Sequence, residues 1–213
     1  MTNTKKEIYN RYIKRSFDLV IALLSFLLLL PIYLFIGLTI KFNSSGPIFY
    51  QALRGGYHDI PFKILKFRTM VVNADKIGGN TTALNDPRIT RVGKILRKTK
   101  LDELPQLINI IKGDMSFVGP RPEVLAYTSK YTEEEKRILS VRPGITDISS
   151  LKYISLDEVV GAENADEYYE KHVLHNKNLL RLEYVDKQSF SLDAKLFFLT
   201  IWGVFKKIFK LFK

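Results

Sequence analysis

Two carboxylates stand side by side at Asp102 and Glu103 in the run Lys100-Leu-Asp-Glu-Leu-Pro-Gln-Leu107. A second run follows closely, Lys112-Gly-Asp-Met-Ser-Phe-Val-Gly-Pro-Arg-Pro-Glu123. Adjacent residues of a helix point about 100° apart, so the two acids divide the work: one meets a substrate while the other holds a cation. Lys94, Arg97, Lys98 and Lys100 crowd the approach, and a helix N-terminus at this point welcomes phosphate. The pattern reads as phosphoryl transfer. The bland alternative is that Asp102 caps a helix beginning near Leu104, with Pro105 in its first turn, and that Glu103 is a solvated first-turn acid.

Lys66 and Arg68 are further candidates. They alternate along a predicted strand and so share a face, where two cations beside an apolar anchor suit a phosphate. Arg121 lies between Pro120 and Pro122, which restrict the backbone and hold the guanidinium in one direction, as bidentate phosphate recognition prefers. The competing account of Arg121 is a loop arginine paired with Glu123. His172 and His175, three apart on a predicted helix, lack a third ligand and read as surface histidines. The chain has no cysteine, which excludes disulfides, a thiolate nucleophile and cysteine-based metal sites. Arg54-Gly-Gly-Tyr57 has neither the spacing nor the helix context of a nucleotide-binding glycine loop.

The elements that must position these groups follow from patterning. At 213 residues with 46% hydrophobic content the chain suffices for one domain plus an accessory segment. The balance of 33 basic against 22 acidic residues, net +11, implies an anionic partner: nucleic acid, a membrane face or a nucleotide-phosphate substrate. Leu19 to Ile40 is apolar and uncharged, and as a straight helix would be roughly 33 Å long against a hydrocarbon core of about 30 Å. Pro31 near its middle predicts a break or kink. Lys5, Lys6, Arg11, Lys14 and Arg15 before the segment and Lys41 and Arg54 after it pull both ends to the cytoplasm, which a re-entrant helix satisfies and a straight span does not.

Gly46 to Met70 predicts two short strands around a turn from Gly55-Gly56 to Pro61. Asn73 to Pro87 predicts a loop, and helices are expected at Ile89–Arg97, Leu104–Ile111, Thr132–Leu139 and Glu163–Leu182. From Leu196 to Lys213, Phe, Trp, Ile and Leu interleave with Lys206, Lys207, Lys210 and Lys213, the pattern of an interfacial helix with its cations toward anionic headgroups; a core-packing helix is the alternative.

These residues together resemble the bacterial sugar transferases, the monotopic polyprenyl-phosphate phosphoglycosyl transferases. The resemblance begins at Lys14-Arg-Ser-Phe-Asp18 and continues through Gly46-Pro-Ile-Phe-Tyr50, Phe62-Lys-Ile-Leu-Lys-Phe-Arg-Thr-Met70 and Arg91-Val-Gly-Lys-Ile-Leu-Arg97. It then takes in the acidic pair, Gly119-Pro-Arg-Pro122, Val141-Arg-Pro-Gly-Ile-Thr146 and Ser191-Leu-Asp-Ala-Lys195. The resemblance implies that Asp102 attacks the β-phosphorus of a UDP-sugar and that Glu103 helps bind Mg²⁺. Lys66, Arg97 and Arg121 match functional positions, Arg68 is expected to join them at the phosphates, and Asp193 is expected in or near the site. Two departures stand out. Leu30-Pro31 replaces a Ser-Pro common at the helix break, and Asp147-Ile-Ser-Ser-Leu-Lys-Tyr-Ile154 replaces a Gly-led segment, which leaves the sugar open and Lys152 as a substitute cation.

The expected fold is α/β, mixed and helix-rich. It divides into a basic segment with a re-entrant membrane helix over 1–41, one cytosolic-face catalytic domain over 42–195, and an amphipathic interfacial helix over 196–213. The expected activity is transfer of a sugar 1-phosphate from a UDP-sugar to undecaprenyl phosphate with release of UMP, at the cytoplasmic face of a bacterial inner membrane. Mg²⁺ is the expected cofactor, no nucleic acid is expected to bind, and a homodimer is an admissible assembly. Two rivals remain: direct attack by the lipid phosphate, and a basic membrane-anchored adaptor without catalysis.

Overall fold

The computed structural model describes residues 3–211 apart from positions 80, 84, 154, 155, 162 and 163. A short helix, α1 (Asn3–Ile8), and a π-helical turn (Tyr9–Ile13) lead into the long helix α2 (Lys14–Asn43). Pro31 lies inside α2 without ending it, so the expected break takes no residue out of the helix. The penalty of an interior proline, about 3 kcal/mol, is offset by packing on both sides of it. Phe26 and Leu29 before the proline and Tyr33, Ile36 and Ile40 after it share one core with Phe67 and Leu96.

Only one face of α2 is buried. The helix has mean hydropathy 2.9 over its most apolar window, of which 17% is buried, so it is not a core helix. Leu28 and Phe42 are 79% and 87% exposed, and Leu24, Leu27, Leu34 and Phe35 join them on the outward side. The other face is tied to the domain along its whole length. Arg15 Nη1 donates to Ile110 O at 2.5 Å and Asp18 Oδ1 accepts from Phe117 N at 3.2 Å. Further along, Tyr33 Oη donates to Leu104 O at 2.5 Å.

The expected hairpin is present. Strands β1 (Phe49–Arg54) and β2 (Phe62–Phe67) pair antiparallel, from Phe49 opposite Phe67 to Arg54 opposite Phe62. Helix α3 (Ala74–Ile77) interrupts the otherwise irregular stretch that follows, and α4 (Arg91–Thr99) begins where Thr90 Oγ1 accepts from Gly93 N at 2.9 Å. A Cβ on Gly93 would come within 1.9 Å of Thr69 O, so only glycine lets α4 sit this close to the end of the hairpin. A 3₁₀ turn (Leu101–Glu103) leads to α5 (Gln106–Lys112). Asn109 of α5 acts as a surrogate strand on β2: its Oδ1 accepts from Leu65 N at 2.9 Å and its Nδ2 donates to Lys63 O at 2.8 Å.

A second sheet, which patterning does not predict, pairs β3 (Ser116–Val118) in parallel with β4 (Gly144–Thr146). Between them lie α6 (Leu125–Thr128) and a 3₁₀ helix (Glu135–Ser140), which Thr132 and Glu135 cap reciprocally. Then come α7 (Ile148–Lys152), α8 (Leu156–Val160), α9 (Ala165–Tyr168), a π-helical turn (Tyr169–Val173) and α10 (Leu174–Lys187). The expected start of this last helical stretch at Glu163 lies outside the described residues. Helix α11 (Phe190–Leu211) packs Leu192 and Leu196 against Val118, Tyr184 and Val185, and leaves Phe198, Trp202, Phe205 and Phe209 exposed. It is both a packing helix and an apolar outward face, and Phe190 meets Phe17 of α2 edge-on at 5.7 Å. Lys206 is exposed, while the side chains of Lys207 and Lys210, and all of Lys213, lie outside the described residues.

Candidate active site

Asp102 and Glu103 sit on the 3₁₀ turn between α4 and α5, and both are buried, at 6% and 9% exposed. Neither follows the bland expectation. Asp102 caps no helix, since α5 has no side-chain cap and Asp102 Oδ1 is buried without a hydrogen-bond partner among the described residues. Glu103 is not a solvated acid but a doubly held one. Lys66 Nζ donates to its Oε1 at 3.0 Å, Arg121 Nη1 donates to its Oε2 at 3.2 Å, and Arg121 Nη2 donates to Oε1.

This asymmetry drives the two acids apart. Burial pushes the Asp102 carboxyl above its ordinary range, the Glu103 charge adds to the shift, and Lys66, Arg97 and Lys100 oppose it. For Glu103 burial also works upward, but Arg121 and Lys66 overcome it and hold the carboxyl well below its usual range. Lys66 in turn is lowered, by burial first, with Glu103 partly restoring it. One acid is thus a fixed anion that orders two cations. The other is a desolvated carboxylate with one buried oxygen that lacks a partner among the described residues.

Each cation is placed by a separate element. Lys66 stands on β2, and Asn109 pins that strand to α5. Arg121 lies on the turn after β3, where Gly119 and Gly144 approach so closely that a Cβ on Gly144 would meet Gly119 N at 2.1 Å. Its backbone N donates to Asp147 Oδ2 at 3.2 Å and its Nη1 also donates to Ile145 O at 2.9 Å. The expected alternative partner of Arg121, Glu123, is taken instead by the fully buried Arg181, at 2.6 Å, and by Tyr169. Arg97, on the last turn of α4, is half-buried and its side chain makes no hydrogen bond or ion pair among the described residues, yet its charge is felt by both Asp102 and Asp86.

Two of the expected groups are bonded elsewhere. Arg68 does not join Lys66: β2 ends at Phe67, and the Arg68 guanidinium donates to Ser45 O at 2.6 Å and Ser44 O at 2.8 Å, closing the turn after α2. The hydrogen bonds of Asp193 go to groups other than the acidic pair and its cations. Its oxygens accept from Tyr9 and Tyr184 at 2.6 Å each and from Lys14 at 2.5 Å, a buried knot that fastens α11 and α10 to the start of α2. Lys66 and Arg121 place three hydrogen bonds on the Glu103 carboxylate, which has about four acceptor sites. Lys152 is exposed and lies over Tyr153, and His172 and His175 are exposed, as expected of surface histidines. Among the described residues, no group of three or more His, Cys, Asp or Glu could hold a metal ion.

The acidic pair, its cations and the apolar helix all fall within residues 9–207, the segment matched by the family model of the bacterial sugar transferases, and the chain belongs to that family. It is 38% identical over 200 residues to a UDP-glucose:undecaprenyl-phosphate glucose-1-phosphate transferase of Escherichia coli (strain K12), covering 92% of this chain and 41% of that one. To the sugar transferase EpsL of Bacillus subtilis (strain 168) it is 36% identical over 189 residues, covering 89% and 85%. The exopolysaccharide production protein ExoY of Sinorhizobium fredii is 43% identical over 150 residues, covering 63% and 66%. The chain thus spans less than half the length of the Escherichia coli relative and most of EpsL.

Proposed function

We propose that the protein initiates lipid-linked glycan assembly by transferring a sugar 1-phosphate from a UDP-sugar to undecaprenyl phosphate, through a covalent intermediate on Asp102. The carrying observation is the Asp102 oxygen, which is buried and unpartnered among the described residues, beside a Glu103 already paired with Lys66 and Arg121. An unpaired buried carboxylate is costly, and a nucleophile is a reason to keep one.

An Asp102 oxygen attacks the β-phosphorus, the bond from that phosphorus to the bridging oxygen breaks, and UMP leaves with the bond's electrons. An oxygen of the lipid phosphate then attacks the same phosphorus, and the Asp102 carboxylate leaves. Lys66 and Arg121 lie on the Glu103 side of the turn and Arg97 approaches from α4, so negative charge building on the phosphoryl oxygens meets fixed cations. Glu103 would hold Mg²⁺ through the acceptor capacity that Lys66 and Arg121 leave on it, because such an ion keeps several waters and needs only one or two carboxylates besides substrate phosphates. When bound, it would offset the charge of the diphosphate.

The membrane reading is re-entrant. Both ends of α2 touch the same domain, through Arg15 and Asp18 at one end and the Ser44–Arg68 contacts at the other, which supports a helix that lies with the domain on the cytoplasmic face. The activity is tested by incubating membranes that contain the protein with undecaprenyl phosphate and a panel of labelled UDP-sugars. Labelled lipid with matching UMP from one sugar supports the proposal. No transfer from any donor by the wild-type protein, with lipid binding that survives Asp102→Asn, would leave an adaptor instead.

A further inference from the structure

Of the six buried side-chain polar atoms that lack a hydrogen-bond partner among the described residues, three belong to Asp102 and Gln106. The others are single atoms of residues that otherwise bond or a lone hydroxyl, such as Arg68 Nε and Ser150 Oγ. Gln106 alone has both ends of an amide unpartnered, at 0% exposed. A buried amide that bonds to nothing is among the expensive features a fold can carry. Its neighbour three residues on, Asn109, shows the structural use of an amide on the same helix, with both ends bonded to β2.

Position supplies the purpose. The backbone is helical from the 3₁₀ turn through Leu104 and Pro105 into α5, with Leu104 N bonded to Leu101 O and Leu107 N to Leu104 O. Gln106 therefore stands about one turn beyond Asp102 and Glu103. We propose that Gln106 is a ligand-facing group of the same site, whose Nε2 donates to an oxygen of the phosphoryl group being transferred. The inference rests on the reading of Asp102 given above. A neutral donor is the group this place calls for. A further lysine or arginine would pair with the Asp102 carboxylate and blunt it, whereas an amide binds a phosphoryl oxygen and leaves the nucleophile charged. Its Oε1 is left for a water or a sugar hydroxyl.

Stability and activity then move in opposite directions on substitution, which a structural amide would not show. In purified protein, Gln106→Met, close in shape and without polar ends, should melt at or above the wild-type temperature in the absence of substrate. Its kcat/KM should fall at least tenfold, about 1.4 kcal/mol of transition-state stabilisation. Gln106→Leu serves as a second variant. A lowered melting temperature, loss of folding in both variants, or activity within twofold of wild type would each overturn the inference. Asp102→Asn is measured alongside: an inactive Asp102→Asn with an active Gln106→Met removes Gln106 alone, while an active Asp102→Asn removes the underlying reading.

Discussion

The same chemical change, carboxylate to amide, should have opposite effects on stability at two adjacent residues. Glu103→Gln removes the anion between Lys66 and Arg121 and strands two largely buried cations, whose side chains are 23% and 26% exposed. Removing one partner of a buried pair costs about 3–5 kcal/mol, and the residual exposure here favours the lower end. For a chain of this size each kcal/mol is worth about 2–4 °C, so the melting temperature should fall by roughly 6–12 °C at pH 7. Because the folded Glu103 carboxyl lies below its unfolded value, that contribution is present above the unfolded pKa and disappears only as pH falls through the folded one. Asp102→Asn behaves in reverse. Its folded pKa is raised, by burial and by Glu103, so the ionised form costs stability above the unfolded pKa. The amide should therefore melt above wild type at pH 7, with the gain fading as pH drops toward the unfolded carboxyl range. Thermal unfolding of both variants in detergent across pH 4 to 8 reads this directly. Equal destabilisation of the two, or a Glu103→Gln protein that melts with wild type at pH 7, would refute the electrostatic account of the pair.

Further outcomes follow from the other cations and from the helix. Lys66→Ala, Arg97→Ala and Arg121→Ala should each lower kcat/KM by about one to two decades, the worth of a charge-assisted hydrogen bond at roughly 1.5–3 kcal/mol. Lys130→Ala, whose side chain is 64% exposed and paired with Glu170, should stay within twofold, and an Arg121→Ala enzyme equal to it would remove Arg121 from the site. Because the chain has no cysteine, single cysteines at positions 4 and 45 can be probed with an impermeant thiol reagent on sealed inverted vesicles. Labelling of both is expected of a re-entrant helix, and protection of position 4 alone would establish a span.

Much of the local structure is legible in the residue pattern, because alternation, apolar runs and capping residues act over a few positions. The strands at Phe49–Arg54 and Phe62–Phe67, the apolar helix, and the Thr132–Glu135 cap are of this kind. What patterning misses depends on where a strand stops or on what lies across the fold. Arg68 shares the alternation of Lys66, but the strand ends one residue earlier and its side chain turns back to Ser44. The pairing of Ser116–Val118 with Gly144–Thr146 is too short to leave a periodic signal. Pro31 suggests a break or kink, and α2 continues through it with core packing on either side. At the site, Asp102, Glu103, Lys66 and Arg121 assemble because charge and proline are visible in the chain. Nothing in the residue pattern marks Asn109, Arg181 or Gln106, because what distinguishes a bonded amide or guanidinium from an unbonded one is its surroundings in the fold, which no residue type announces.

The account stands or falls on the bond to Asp102. Purified enzyme mixed by rapid quench with the proposed UDP-sugar donor, and with no lipid acceptor present, should release UMP in an amount approaching one per active site. The protein should gain the mass of the sugar phosphate, and Asp102→Asn should do neither. UMP release that appears only when undecaprenyl phosphate is added, with no mass gain on the wild-type chain, would contradict the covalent intermediate and leave direct attack by the lipid phosphate.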